Sequence, residues 1–166
     1  MRQLLTPGER DNMMIKILIC SILVLSSLGL TGQSLPDFSG TWLQDSGKSD
    51  DFYKDFNVKC TITQTASLFT VKTTFSDKND TEIVTRESIF SLDGKEIADS
   101  EGGKKSAKWS PDKKVLTTSD TKDYGGDIVG VKASYSISDD RLVLTVKSSD
   151  IKPDVKSITQ VFNKKK

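Results

Sequence analysis

The chain has 166 residues, enough for one domain, with 35% hydrophobic and 28% charged residues and a formal net charge of +1. It contains no histidine, which excludes His-based triads, His-liganded zinc and His proton shuttles. Arg2, Arg10 and Lys16 against Glu9 and Asp11 leave the chain after residue 34 neutral, with no basic footprint for nucleic acid or an anionic membrane.

Residues 1–12 are polar and featureless, and Met13 or Met14 reads as the true start. Lys16 then precedes an uncharged apolar run from Ile17 to Leu30, too short for a comfortable bilayer span. Small residues follow at Thr31, Gly32 and Ser34. This is the layout of a secretory signal peptide, so 1–34 is expected to be removed and 35–166 to be exported, to a periplasm or beyond. No membrane insertion is expected after cleavage. Cys20 falls in the leader, which leaves Cys60 alone and rules out an intrachain disulfide in the mature protein.

The mature part reads as strands and turns. Asp37 to Gln44 is the first strand, with Trp42 beside Gly40 placed to close one end of a barrel. Ser49 can cap a short helical turn over 50–56, in which Phe52 and Phe56 share a face at four-residue spacing. That turn reads as a plug over the core or a small lid. Val58, Cys60 and Ile62 alternate with polar residues and place Cys60 inward, as a small core hydrophobe. Phe69, Val71, Thr73 and Phe75 form the next inward row, and 77–80 turns the chain.

Thr81 to Leu92 has two faces in conflict. Ile83 and Ile89 argue one way, Val84, Phe90 and Leu92 the other, and a bulge reconciles them. On the second face Arg86 points inward, where a guanidinium must be paired or meet an anion; on the first it faces solvent. Asp93-Gly94 is a hairpin turn, 101–103 a flexible connection, and 110–114 and 124–127 are further turns. Val129 to Ile137 is the clearest alternating strand, Leu142, Leu144 and Val146 return, and Val155 to Phe162 closes the chain beyond Pro153-Asp154. Phe90-Ser91, Trp109-Ser110 and Tyr135-Ser136 each precede an Asp-bearing turn, as an internal echo. Nine or ten strands without a helix long enough for a crossover imply an all-β, up-and-down antiparallel meander closed into a barrel.

The stretch Phe38-Ser39-Gly40-Thr41-Trp42, with Ile62-Thr63-Gln64 on the next strand, resembles the calycin group of lipocalins and fatty-acid-binding proteins. Leu92-Asp93-Gly94-Lys95-Glu96 and 108–112 are similar to small secreted bacterial lipocalin-like proteins. The resemblance implies a lipocalin-like barrel whose interior can hold a small apolar ligand. It does not extend to the fatty-acid carboxylate clamp, since Gln160-Val161-Phe162 stands at the matching positions.

Inward Phe69, Phe75, Trp109, Tyr135 and Phe162, with Arg86, are the candidate ligand-binding residues, and Gly40 and Trp42 the candidate closure residues. The same rings serve equally to fill a solid interior, in a packed interaction domain without cargo. Asp50-Asp51, Asp139-Asp140 and Asp150 with Asp154 lie in turns, where Asp is common for backbone reasons, and none has the spacing of a calcium loop. The expectation is a monomeric, non-enzymatic protein with no cofactor, no metal and no nucleic-acid partner.

Overall fold

The computed structural model describes residues 34–99, 102–151 and 156–166. The expected leader, apart from Ser34, lies outside the described residues, as does the Pro153-Asp154 connection. Ten strands follow in chain order: β1 (Gly40–Gln44), β2 (Asn57–Gln64), β3 (Leu68–Ser76), β4 (Glu82–Ser91), β5 (Ile97–Ala98), β6 (Gly103–Trp109), β7 (Leu116–Tyr124), β8 (Asp127–Ile137), β9 (Val143–Asp150) and β10 (Ile158–Lys164). Sequence neighbours pair antiparallel except at β4 and β5, and β10 folds back onto β1. The order is β4-β3-β2-β1-β10-β9-β8-β7-β6-β5. The result is the expected all-β up-and-down barrel, nearly closed, with one seam between β4 and the β5–β6 edge.

Alternation sets what lies inside. Val58, Cys60 and Ile62 on β2, Phe69 and Val71 on β3, and Leu144 and Val146 on β9 are all buried. Side chains two apart on a strand share a face, so each strand contributes one apolar row. Pairings such as Trp42 with Cys60 and Tyr135 with Val146 set those rows side by side. The conflict within β4 resolves as a register shift: Phe75 pairs with Val84 but Ser76 pairs with Glu82, so Ile83 is the extra residue of a bulge. Beyond it, Phe90 is buried and Arg86 lies on the same face of the strand as Phe90.

The helical turn after β1 is a 3-10 turn of three residues, Asp51–Tyr53. It corrects two details. Asp50, not Ser49, sits at its start and makes no side-chain cap, while Ser49 Oγ donates to the Asp45 carbonyl at 2.8 Å and accepts from Val161 N–H at 2.9 Å. Tyr53, not Phe52 or Phe56, is the ring that reaches the core, 5.4 Å from Phe75. A 3-10 turn repeats every three residues, so a four-residue spacing does not define a face.

The internal echo is real but its third member is Ser138, not Ser136. Ser91, Ser110 and Ser138 each donate a hydroxyl to the aspartate two residues on, Asp93, Asp112 and Asp140. Each aspartate also accepts the N–H two residues further along, from Lys95, Lys114 and Leu142. In all three the residue after the aspartate has positive φ: Gly94, Lys113 and Arg141. The repeated unit is therefore Ser-x-Asp followed by a left-handed residue, and the preceding aromatic is incidental. These three hairpins share the end of the barrel at which β1 begins.

Candidate functional site

At that end the chain is its own stopper. Phe38, just before β1, is fully buried and its ring stacks on Trp109 with centres 5.9 Å apart. It meets Phe69 edge-on at 5.9 Å and Tyr135 at 6.4 Å. Trp42 is also fully buried and donates its indole N–H to the Phe38 carbonyl at 2.9 Å. Gln64 ties the same segment down, accepting from Phe38 N–H at 3.2 Å and donating to the Pro36 carbonyl at 2.9 Å. Gly40 has φ of +141°, a backbone state that a side chain disfavours, and a Cβ there would stand 2.9 Å from Lys164 Cε. Gly40 lets β1 start in line with both neighbours while Lys164 Nζ lies 5.1 Å from the centre of the Trp42 ring.

The other half of the interior is different. Between β3–β4 and β7–β8 there is a cavity of about 360 Å³. One wall is apolar, made by Val71, Phe90, Val129, Val131, Ala133 and the Tyr135 ring. The other is polar, with Arg86, Ser88, Thr118, Asp120 and Lys122. Arg86 and Val131 are solvent-exposed at its mouth, while Phe90, Ala133 and Tyr135 are buried. Gly130 admits β8 close to β7: a Cβ there would lie 2.2 Å from the Asp120 carbonyl oxygen.

The charges on the polar wall are unequally engaged. Asp120 accepts the Ser88 hydroxyl at 3.1 Å, which ties β7 to β4 across the seam, and pairs with Lys105 of β6 at 3.8 Å. Lys105 also reaches Asp99 at 3.9 Å. Lys122 Nζ lies over the Tyr124 ring at 5.3 Å. Arg86 has no ion-pair partner among the described residues. Burial holds the Tyr135 phenol far above its usual range, despite a hydrogen bond with Thr118, so it lines the cavity as a neutral group. Burial likewise pushes the Cys60 thiol up to about 12.

Of the six candidate ligand residues, Arg86 and Tyr135 line the cavity. Phe69 and Phe162 are buried core, Trp109 is stacked on Phe38, and Phe75 is half-buried against Tyr53. Asp120 and Lys122 were not among the candidates, yet Leu116, Thr118, Asp120 and Lys122 are successive alternate positions of β7, and the buried Leu116 fixes that face as inward. Gln44 Nε2 and Oε1, Gln160 Nε2 and Trp109 Nε1 are buried with no hydrogen-bond partner among the described residues. Asp50 and Asp140 serve the backbone, accepting from Thr159 N–H at 2.7 Å and Leu142 N–H at 3.0 Å, whereas Asp150 ends β9 instead of lying in a turn and Asp154 lies outside the described residues.

No protein-family model matches the chain, and no curated protein matches it at a significant level. Among solved structures it is similar to a secretary abundant heat soluble (SAHS) protein from Ramazzottius varieornatus, crystallised from a dimer sample. The TM-score is 0.43 at 10% identity, covering 76% of this chain and 94% of that one. Likeness at that level says nothing of what this chain does.

Proposed function

We propose that the protein is an exported, non-enzymatic binding barrel that holds a small apolar molecule in the cavity beside β4, β7 and β8. The observation that carries this reading is the asymmetry of the interior. One half is filled by Phe38, Trp42, Phe69 and Phe162, whereas the other half holds a space of about 360 Å³ with an apolar wall. That size falls in the range of small-molecule sites, roughly 300–1,000 Å³. The leader-like run before residue 34 supports export, and the absence of histidine supports binding over catalysis. The filled half also suits a packed domain without cargo, and the space beside Arg86 is what favours cargo.

The test is a fluorescence titration with a solvatochromic apolar dye, comparing wild type with Val131→Trp. Val131 stands exposed at the mouth, so a larger ring there occupies the site without entering the packed core. Saturable one-to-one binding that Val131→Trp weakens at least tenfold supports the reading. Equal dye response in both proteins contradicts it.

A further inference from the structure

Charge on the outside of the barrel is sorted in a way that the neutral sum of the chain hides. On β6, β7, β8 and β9 the buried Ala107, Leu116, Tyr135 and Leu144 fix one face of each strand as inward, so the alternate positions face out. Register then lines up the outward side chains in rows across the strands. Lys108, Thr117, Ser134 and Lys147 form one row, in which the Thr117 and Ser134 hydroxyls are bonded at 3.1 Å. Ser106, Ser119, Lys132 and Ser149 form the next, and Lys104 opens a third opposite Thr121. All four lysines are exposed, and among the described residues only Lys104 of the four has an ion-pair partner, Glu96 at 3.8 Å. The acids of this half stand elsewhere. Asp120 faces the cavity, Asp112 and Asp140 are tied into their hairpins, and Asp123 holds the Gly126 N–H at the far tip.

Lysine presents a point charge to a carboxylate, and serine and threonine hydroxyls both donate and accept, as sugar hydroxyls do. Neighbouring strands lie roughly 4.8 Å apart, so Lys108 and Lys147 stand roughly 14 Å apart along one row, with Lys132 between them in the next. That layout matches a linear chain with repeated acid groups. The rows hold no arginine, no ring on which a base could stack and no apolar side chain to enter a bilayer. We propose that the outer face of β6–β9 docks a linear polysaccharide bearing carboxylates. The chain lies across the strands, with its acid groups on Lys108, Lys132 and Lys147 and its hydroxyls on the serines and threonines between them. These contacts are open to solvent, so binding is screened by salt and grows with the number of sugars that reach a lysine. The face is separate from the cavity and does not depend on its being filled.

The experiment is fluorescence anisotropy of dye-labelled decagalacturonate with the folded protein at low ionic strength, beside the same oligomer as its neutral methyl ester. The acid should bind about tenfold tighter than the ester, with a margin that shrinks as salt rises. Unlabelled galacturonate should displace it better than single-stranded DNA or phosphatidylglycerol vesicles at equal anionic charge. Lys108→Gln, Lys132→Gln and Lys147→Gln together should weaken binding about tenfold. The charge-matched set Lys59→Gln, Lys72→Gln and Lys114→Gln, all exposed lysines outside these rows, should weaken it by less than about threefold. Apolar-dye binding in the cavity should be unchanged in both sets. Equal binding of acid and ester, equal loss in the two sets, or displacement by DNA or vesicles as good as by galacturonate overturns the proposal, as does no binding at all. The wild-type comparison of acid, ester and competitors stands without any variant.

Discussion

The indole N–H of Trp42 is bonded to the backbone carbonyl of Phe38, 2.9 Å away and buried. Residues four apart thus fold the chain back on itself just before β1, and the Phe38 ring is driven into the end of the barrel. One bond links β1 to the plug that fills this half of the interior.

Truncating the plug should therefore be costly. Phe38→Ala and Trp42→Ala should each cost roughly 3–5 kcal/mol, a large share of the 5–15 kcal/mol usual for a domain. Trp42→Phe keeps a ring but orphans a buried carbonyl, and should cost about 1–3 kcal/mol. Urea unfolding of the three variants checks this. A Phe38→Ala protein as stable as wild type would show that the plug is ornamental.

The Ser-x-Asp hairpins should give the protein an acid-sensitive rim. Hydrogen bonds from serine hydroxyls and backbone N–H groups hold the Asp93, Asp112 and Asp140 carboxyls below the usual range, Asp93 at about 2. A lowered folded pKa adds stability that is complete above the unfolded value of about 3.9 and is lost as pH falls towards the folded one. Thermal midpoints should be flat above about pH 4 on this account and decline between there and about pH 2. Asn at 112 and 140 should flatten that decline. A decline of unchanged steepness in the double variant would place the acid sensitivity elsewhere.

Gly130→Ala should disturb the cavity more than its size suggests. The new Cβ would meet β7 backbone, the Asp120 carbonyl at 2.2 Å and Thr121 Cα at 2.8 Å, and neither can swing away as a side chain would. The strands must part or shift, and overpacking of this kind costs about 1–3 kcal/mol or more. Melting should drop and dye binding should weaken together. Wild-type behaviour in both would mean that β8 has room to spare at Gly130.

Cys60 should resist thiol reagents in the native protein, since it is buried and its thiol is pushed up to about 12. Labelling should become fast only in denaturant. Rapid labelling without denaturant would contradict the register of β2.

Much of this architecture was legible in the sequence, because alternation and turn chemistry act locally. Val58-Cys60-Ile62, the Asp93-Gly94 turn and the bulge in β4 follow from period two and from residues that tolerate positive φ. The plug was not legible in the same way. Phe38 precedes the first strand, and its partners Trp109 and Tyr135 come from β6 and β8, contacts that no local pattern carries. Tyr53 displaced Phe52 and Phe56 because the turn is 3-10 and too short to present a helical face. At the cavity, parity left the face of Arg86 open, while Asp120 and Lys122, which also line the space, lay within reach of the same reasoning on β7. Which inward residues line space and which fill it depends on the curvature of the barrel, and alternation is blind to that.

The central claim is that a guest occupies the cavity, and native mass spectrometry of the mature protein purified from its own host tests it most directly. The account predicts a one-to-one adduct of small-molecule mass that is absent or much reduced in Val131→Trp. A bare protein mass in wild type, with the apolar dye also failing to bind, would contradict it.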